Sequence, residues 1–341
     1  MKRGKGKKVV TLKDIAKETG YSVNTVSRAL RDKDDIAPET KARISKTAEK
    51  MGHVRNALAL SLRVGYTNTI AVIFGDVSNP HFGVMMKEIE GHARESGYSS
   101  FLINTNEDED LELAAIKSAI NRSVDGIIIC PTQKGNDNIE YLKKSGIPFV
   151  LIGRRFEDVE TDYVVCNDEL GGYQATKELF EKGHRKILML HGPTYISSAR
   201  ERLAGYRKVF KENEQKVDEN LICEIPITGK DDMERLCDKV IQEKDFTAIF
   251  AFSDFLAFAV WDCLKRRGIK VPEECSIVGF DHIQSRLPLP FELTSISSYK
   301  GDMATAAVEL LIHRINENIV DFQQVVIDTT LLRGDTVCNI N

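Results

Sequence analysis

From Thr69 onward the chain repeats one unit: a short apolar, β-branched run, a turn residue, then a stretch of helical period. TIAVIF (69–74), SSFLIN (99–104), DGIIIC (125–130) and IPFVLIG (147–153) make a first set; KILMLHG (186–192), TAIFAFS (247–253) and CSIVGF (275–280) make a second. Helical patterns around 82–96 and 110–121 separate the first of these runs. Runs this short and this uniformly apolar need cover on both faces, which helices flanking parallel strands supply. Two sets predict two doubly wound α/β lobes, with binding groups gathered at the carboxyl ends of the strands. A chain of 341 residues has room for both lobes and one further small domain.

That domain is expected at the N-terminus, where the charge changes sign. Residues 1–65 carry 16 Lys and Arg against 7 Asp and Glu, a balance of +9, whereas the remainder carries 31 against 44, a balance of −13. A cationic head on an anionic body suits a polyanion-binding module joined to a part that avoids polyanions. Thr11 caps a first helix running from Leu12 to about Thr19, with Ile15 and Ala16 inward, and Gly20 ends it. Ser22 caps a second, whose Val26, Ala29 and Leu30 face inward while Val23, Asn24, Thr25, Ser27 and Arg28 stay outside. A third helix, opened by Pro38, presents Ile44, Ala48 and Met51 to the pair. Helices this short are marginal alone, so the three must share a core. The pattern is that of an all-α helix-turn-helix head, whose second helix fits the major groove of DNA, although a plain helical hairpin shows the same apolar spacing.

Thr11, Asp14, Ile15, Ala16, Gly20, Ser22, Thr25, Val26, Ser27, Arg28 and Leu30 together resemble the head of the LacI/GalR family of bacterial transcription regulators. The resemblance implies that Val23, Asn24 and Arg28 occupy base-reading positions, while Thr11, Ser22, Thr25 and Ser27 mostly hold phosphates. Elementary chemistry agrees, since Asn and Arg pair bidentately with base edges and hydroxyls suit backbone oxygens. The resemblance also implies a hinge helix in HVRNALALSLRVGYTNT (53–69) that orders on the operator. Asn56, Ala57, Ala59 and Leu62 match it, and Leu62 would wedge a central base step from the minor groove. Two residues depart from the family pattern: Leu60 stands where relatives often have Arg or Lys, and Arg55 where they have Pro. Arg63 and Arg55 are the candidates to supply the missing minor-groove cation.

The resemblance covers residues 9–338 and implies a periplasmic-binding-protein-like core. The expected divisions are a head at 1–54, hinge helix and linker at 55–67, and a core at 68–341. Within the core, lobe 1 is expected at about 68–166 and 297–324, and lobe 2 at about 167–294 and 325–341. The chain then crosses between lobes near Asn167, near 294–297 and near Val325.

Polar groups follow the apolar runs in GDVSNPHF, HGPTYISSARERLAGY, AFSDF and VGFDH. Carboxylates and guanidinium groups facing each other across a cleft suit polyhydroxy ligands, whose hydroxyls both donate and accept. The resemblance makes Arg202 and Asp281 the effector-holding pair and Phe82 an apolar wall. Ser198, Ser253 and Asp254 match further pocket positions, Arg154 follows the VLIG run, and His81 is polar lining. Many sugar-binding relatives present an aromatic face where this chain has Pro226-Ile227, so stacking must come from Phe252, Phe255, Tyr195 or Trp261, or be absent. A monosaccharide or small glycoside is the expected ligand.

No apolar run reaches the 18–20 or so residues of a membrane span, and the basic start lacks the apolar core of a secretory signal. Seven cysteines without a C-x-x-C pair fit a reducing cytoplasm. No phosphate loop, dense metal cluster or nucleophile beside a base is legible, so no cofactor or metal is expected. A sugar-processing enzyme built on Asp254, Asp281 and His282 is the remote alternative. The leading expectation is a repressor of double-stranded, palindromic operator DNA, controlled by a saccharide. The chain lacks the C-terminal heptads of the family's tetramers, so a homodimer is expected. A phosphoprotein partner or a non-sugar ligand is the alternative controller.

Overall fold

The computed structural model describes residues 10–53, 65–227, 230–286, 291–317 and 321–340, with the backbone alone at 230–233 and 286. The chain divides into two compact units, Met1–Thr67 and Asn68–Asn341.

In the first unit, α1 (Leu12–Thr19) opens on Thr11, which forms a reciprocal capping box with Asp14, and ends on Gly20 at φ 79°. Helix α2 (Val23–Ala29) follows after three residues, with Ser22 Oγ accepting the Thr25 amide at 3.0 Å. Helix α3 (Pro38–Lys50) starts on its proline. Ile15, Val26 and Ile44 are fully buried at the meeting point, ringed by Ala16, Ala29, Leu30 and Ala48, with Met51 packed at the margin. Burying each of the three larger side chains stabilises this unit by about 1.5–3 kcal/mol, which is how helices of seven or eight residues persist.

The second unit holds two six-stranded sheets. Lobe 1 begins with β1 (Thr69–Phe74), α4 (Pro80–Glu95), β2 (Ser99–Asn104), α5 (Glu109–Asn121), β3 (Gly126–Ile129), α6 (Asp137–Ser145), β4 (Phe149–Ile152) and β5 (Tyr163–Cys166). Lobe 2 takes α7 (Asp168–Glu181), β6 (Ile187–His191), α8 (Ser197–Glu212), β7 (Ile222–Glu224), α9 (Lys230–Glu243), β8 (Ala248–Ala251), α10 (Asp254–Arg266), β9 (Ser276–Asp281) and β10 (Thr294–Ser297). The chain then returns to lobe 1 for α11 (Lys300–Asn316) and β11 (Gln324–Ile327), and ends with β12 (Thr330–Leu332) in lobe 2. The sheet orders are β11-β5-β4-β3-β1-β2 and β12-β10-β9-β8-β6-β7. Every pairing is parallel except β10 with β12. Strands β1, β3, β6 and β8 are buried along nearly their whole length, as their uninterrupted apolar runs require.

Two expected lobe limits move. All of β10 pairs with β9, Thr294 opposite Val278 through Ser297 opposite Asp281, so lobe 2 extends to Ser297 and the chain crosses at 298–299. All of β11 pairs with β5, so lobe 1 extends to Ile327 and the last crossing falls at 328–329. The first crossing is at Asn167, which caps α7 by accepting the Leu170 amide. In lobe 2, α7 and α8 cross so closely that a Cβ on Gly172 would lie 2.2 Å from the Arg202 carbonyl oxygen. That approach fixes the turn of α8 that carries Arg202.

Candidate functional site

The outward side of α2 carries Val23, Asn24 and Arg28 exposed, with Thr25 and Ser27 half-buried. Val23, 42% exposed, is a large apolar side chain left outside the head's core. Several polar groups of this face have local partners. Ser22 and Thr25 hydroxyls lie 2.8 Å apart, Arg31 Nη2 donates to Ser27 Oγ at 2.5 Å, and the Thr11 hydroxyl donates to Asp14 at 2.7 Å. Arg28 Nη2 meets Asp35 Oδ2 at 2.5 Å, and this hydrogen bond raises the Arg28 pKa and lowers that of Asp35. Sequence reasoning missed Asp35, which lies in the connection to α3. Asn56, Ala59 and Leu62, expected at the hinge, lie outside the described residues, as do Arg55, Ala57, Leu60 and Arg63.

A cavity with an empty volume of about 870 Å³, partly open to solvent, lies between the lobes. Of the expected ligand residues, His81, Phe82 and Arg154 line it from lobe 1; Ser198, Arg202, Ser253 and Asp281 line it from lobe 2. Phe252 and Phe255 supply its aromatic surface beside Pro226 and Ile227. Trp261 does not reach it and instead stacks on Phe291 at 4.7 Å between ring centroids.

Arg202 is the most constrained group. Its Nε donates to Asp168 Oδ1 at 2.7 Å, its Nη1 donates to the Phe252 carbonyl at 2.5 Å, and Nη2 lies 3.8 Å from Asp281 Oδ1. The guanidinium carbon sits 3.5 Å from the ring centroid of Phe280 and 4.7 Å from that of Phe252. Asp168 was not anticipated; its only signal was a carboxylate two residues after the β5 run. Burial raises the Asp168 pKa and the Arg202 charge opposes that rise. Asp281 ends β9 at φ 101°, followed by His282 at 50°. Such left-handed backbone at non-glycine residues costs about 1–3 kcal/mol each, and here it turns the Asp281 carboxylate into the cleft while Lys300 Nζ holds its carbonyl.

From lobe 1, His81 Nδ1 comes within 3.4 Å of Asp281 Oδ1 without closing a hydrogen bond. Burial pushes the His81 pKa down to about 4, against the pull of Asp281, so the ring is neutral near pH 7. Arg154 is held bidentately by Glu107 at 2.7 and 2.8 Å and also donates to the Pro131 carbonyl at 2.8 Å. Glu107 escaped sequence reasoning because it lies in a loop, 47 residues from its partner.

Asp254 is the exception among the expected pocket residues. It is fully buried behind the cleft, accepting the Ile283 amide at 2.8 Å and the Ser295 hydroxyl at 2.6 Å. Its side chain anchors the segment after β9 to β10 and does not line the cavity. The adjacent Ser253 caps α10 by accepting the Leu256 amide.

Polar bonds tie the lobes at the cleft rim. Gln133 of lobe 1 accepts the Ser197 amide at 3.0 Å, doing at the start of α8 what Ile196 cannot do as a cap. The Arg155 amide donates to Ser197 Oγ at 3.2 Å, and its guanidinium pairs with Glu201 at 2.8 Å. Arg200 pairs with Glu157 at 2.8 Å. Among the described residues no group of His, Cys, Asp or Glu is placed to hold a metal ion, and no helix is long and apolar enough to cross a membrane.

Residues 11–56 match the model of bacterial regulatory proteins of the lacI family. Residues 67–333 match that of periplasmic binding proteins and the sugar binding domain of the LacI family. The chain is 30% identical over 311 residues to the HTH-type transcriptional repressor PurR of Aliivibrio salmonicida, covering 91% of this chain and 93% of that protein. It is 33% identical over 278 residues to the HTH-type transcriptional regulator DegA of Bacillus subtilis, covering 80% and 81%. Its fold is similar to that of the lac repressor dimer bound to operator and the anti-inducer ONPF, with a TM-score of 0.84 at 20% identity over 97% of this chain and 100% of that one. It is also similar to the transcriptional regulator CelR–cellobiose complex, with a TM-score of 0.72 at 24% identity over 96% and 99%. With a helix-turn-helix head and a two-lobed periplasmic-binding-protein-like ligand domain, the chain belongs to the LacI family and is a DNA-binding transcriptional regulator, not an enzyme.

Proposed function

We propose that this regulator is a cytoplasmic homodimer that represses transcription from a palindromic operator, and that a saccharide in the interlobe cleft sets its operator affinity. The observation that carries the reading is that the Arg202 guanidinium and the Asp281 carboxylate stand side by side, 3.8 Å apart, in the lobe 2 wall of one cavity. A sugar hydroxyl can accept from the Arg202 Nη2 edge and donate to the Asp281 carboxylate in one geometry. His81, Ser198, Ser253 and Arg154 add polar contacts to that site, and Phe82 and Phe252 give apolar faces to C–H groups. The solved structure of CelR with cellobiose supports the ligand class. A ligand bridging the lobes would redistribute the rim bonds at Gln133, Arg155 and Arg200, which is a physical route for coupling.

On the DNA side, Val23, Asn24 and Arg28 are assigned to base edges, and Thr11, Ser22, Thr25 and Ser27 to phosphates. Asn56, Ala59 and Leu62 are assigned to the minor groove. Arg28→Ala is expected to weaken operator binding by about 1–3 kcal/mol and to relax specificity at one base pair, read by fluorescence anisotropy on operator variants. Uniform weakening on all sequences would assign Arg28 to a phosphate instead.

The controlling experiment selects an operator from random duplexes with the full chain, then titrates it against a saccharide panel. A sugar that binds the cleft is expected to change operator affinity about 5–150-fold. Unchanged affinity with every bound sugar would overturn the control mechanism. A panel with no binder would favour a phosphoprotein partner or a non-sugar effector.

A further inference from the structure

We infer that Glu107 makes the cleft selective for uncharged ligands: by closing a pair with Arg154 it leaves the cleft to refuse phosphorylated or carboxylated forms of molecules whose neutral forms it admits. This rests on the cleft being the effector site, and the test below separates failure of that reading from failure of the inference.

An anion entering a partly enclosed cavity loses water and must find a cation with donors to spare. Among the described lining residues the permanent cations are Arg154 and Arg202. Arg154 spends three of its four Nη hydrogens on both Glu107 oxygens and the Pro131 carbonyl, its charge is met by the Glu107 carboxylate, and both members of the pair are buried. Arg202 has its charge already met by Asp168 and Asp281; its Nη2 edge is open to a neutral hydroxyl, but an anion placed there would meet Asp281 Oδ1, 3.8 Å from Nη2. His81 is neutral. Against these two cations stand Asp76, Glu107 and Asp281 in the lining and Asp168 directly behind Arg202. Lys300 answers part of that excess from behind, through the Asp281 carbonyl. A phosphate monoester would add about 1.5–2 negative charges to this field with no unanswered cation among the described lining residues to meet them. A neutral polyol meets the opposite situation, because carboxylate lone pairs accept its hydroxyls and the Arg202 Nη2 edge donates to them.

The backbone is shaped to admit Glu107. Its φ is 56°, and a Cβ on Gly75 would lie 2.0 Å from Glu107 Oε1, so the carboxylate reaches Arg154 only because residue 75 has no side chain. A pair serving stability alone would not need to line the cavity, and this one does.

The test uses the full chain and matched ligand pairs: glucose with glucose 6-phosphate, ribose with ribose 5-phosphate, cellobiose with cellobionic acid, and inorganic phosphate alone. Calorimetric titration of the unaltered protein is expected to show at least a 100-fold loss for the charged member of any pair whose neutral member binds, and no binding of inorganic phosphate. Glu107→Gln keeps the shape, frees one guanidinium edge and shifts the local charge by one unit. It is expected to gain inorganic phosphate binding by at least tenfold, and adding Arg154→Met is expected to abolish that gain. Glu107→Asp, which keeps the charge, is expected to go on refusing phosphate and guards against a folding defect in the amide variant. Tighter binding of a charged member by the unaltered protein, or no gain of phosphate binding in Glu107→Gln, overturns the inference. If no panel sugar binds at all, the effector reading fails, and the phosphate titrations of the variants still decide the role of Glu107.

Discussion

Arg202→Ala is expected to lower the stability of the core by about 3–5 kcal/mol and to abolish the effector response. The size follows from what the substitution leaves behind. Asp168 is fully enclosed, and without the guanidinium its nearest remaining partner is the weak Cys166 Sγ–H donor at 3.5 Å. An unanswered buried carboxylate either stays charged at high cost or takes a proton, and both outcomes destabilise the fold near neutral pH. The Phe280 and Phe252 rings also lose the cation between them, and α8 loses its tie to the Phe252 carbonyl. Loss of ligand response alone would therefore be ambiguous, so two companions are needed. Arg202→Lys keeps the charge but not the planar, forked donor set, and should recover part of the stability and none of the response. Adding Asp168→Asn to Arg202→Ala should recover most of the lost stability, again without restoring the response. Urea unfolding at pH 7 reads the first quantity and effector-dependent operator binding the second. A loss below about 1 kcal/mol in Arg202→Ala would mean that Asp168 does not depend on this cation.

These residues show which parts of the cleft lining are legible in the sequence and which are not. Arg202 and Asp281 are legible because each sits in a local motif, one on the first turns of a helix and one at the end of an apolar run. Their partners are not legible: Asp168 and Arg202 are 34 residues apart, Glu107 and Arg154 are 47 apart, and only the folded lobes bring either pair together. Asp254 was misplaced for a related reason. Following Ser253 at the start of a helix, it reads the same whether it turns toward the cleft or behind it, and one residue of rotation separates the two. Strands β1, β3, β6 and β8 announced themselves through uninterrupted apolar runs, whereas β11 has alternating exposed and half-buried residues and pairs on one side only. That weak signal is why the last lobe crossing was expected three residues too early.

Relative to the unaltered protein, Asp254→Asn is expected to gain stability progressively as pH rises from about 3.8 to about 8. Burial pushes the Asp254 carboxyl from its ordinary 3.8 up to about 8, and the Asp281 charge adds to the rise despite hydrogen bonds from Ser295 and the Ile283 amide. Between those two values the folded chain keeps a proton that the unfolded chain releases. The stabilising effect of holding that proton is therefore complete below about 3.8 and is lost as pH climbs through about 8. Its slope is at most about 1.4 kcal/mol per pH unit. His81 works in the opposite sense: its folded pKa of about 4 lies below its ordinary 6.5, so its contribution improves stability as pH rises across that interval. His81 is present in both proteins, so its effect cancels when the unaltered chain is compared with Asp254→Asn. An amide at this position can satisfy both partners, its oxygen accepting the Ile283 amide and its nitrogen donating to Ser295 Oγ, with no proton to lose. Urea unfolding of both proteins at half-unit pH steps should give curves that diverge with rising pH in favour of Asp254→Asn. Parallel curves would mean that Asp254 is already ionised in the fold, balanced by a charge that its surroundings do not reveal.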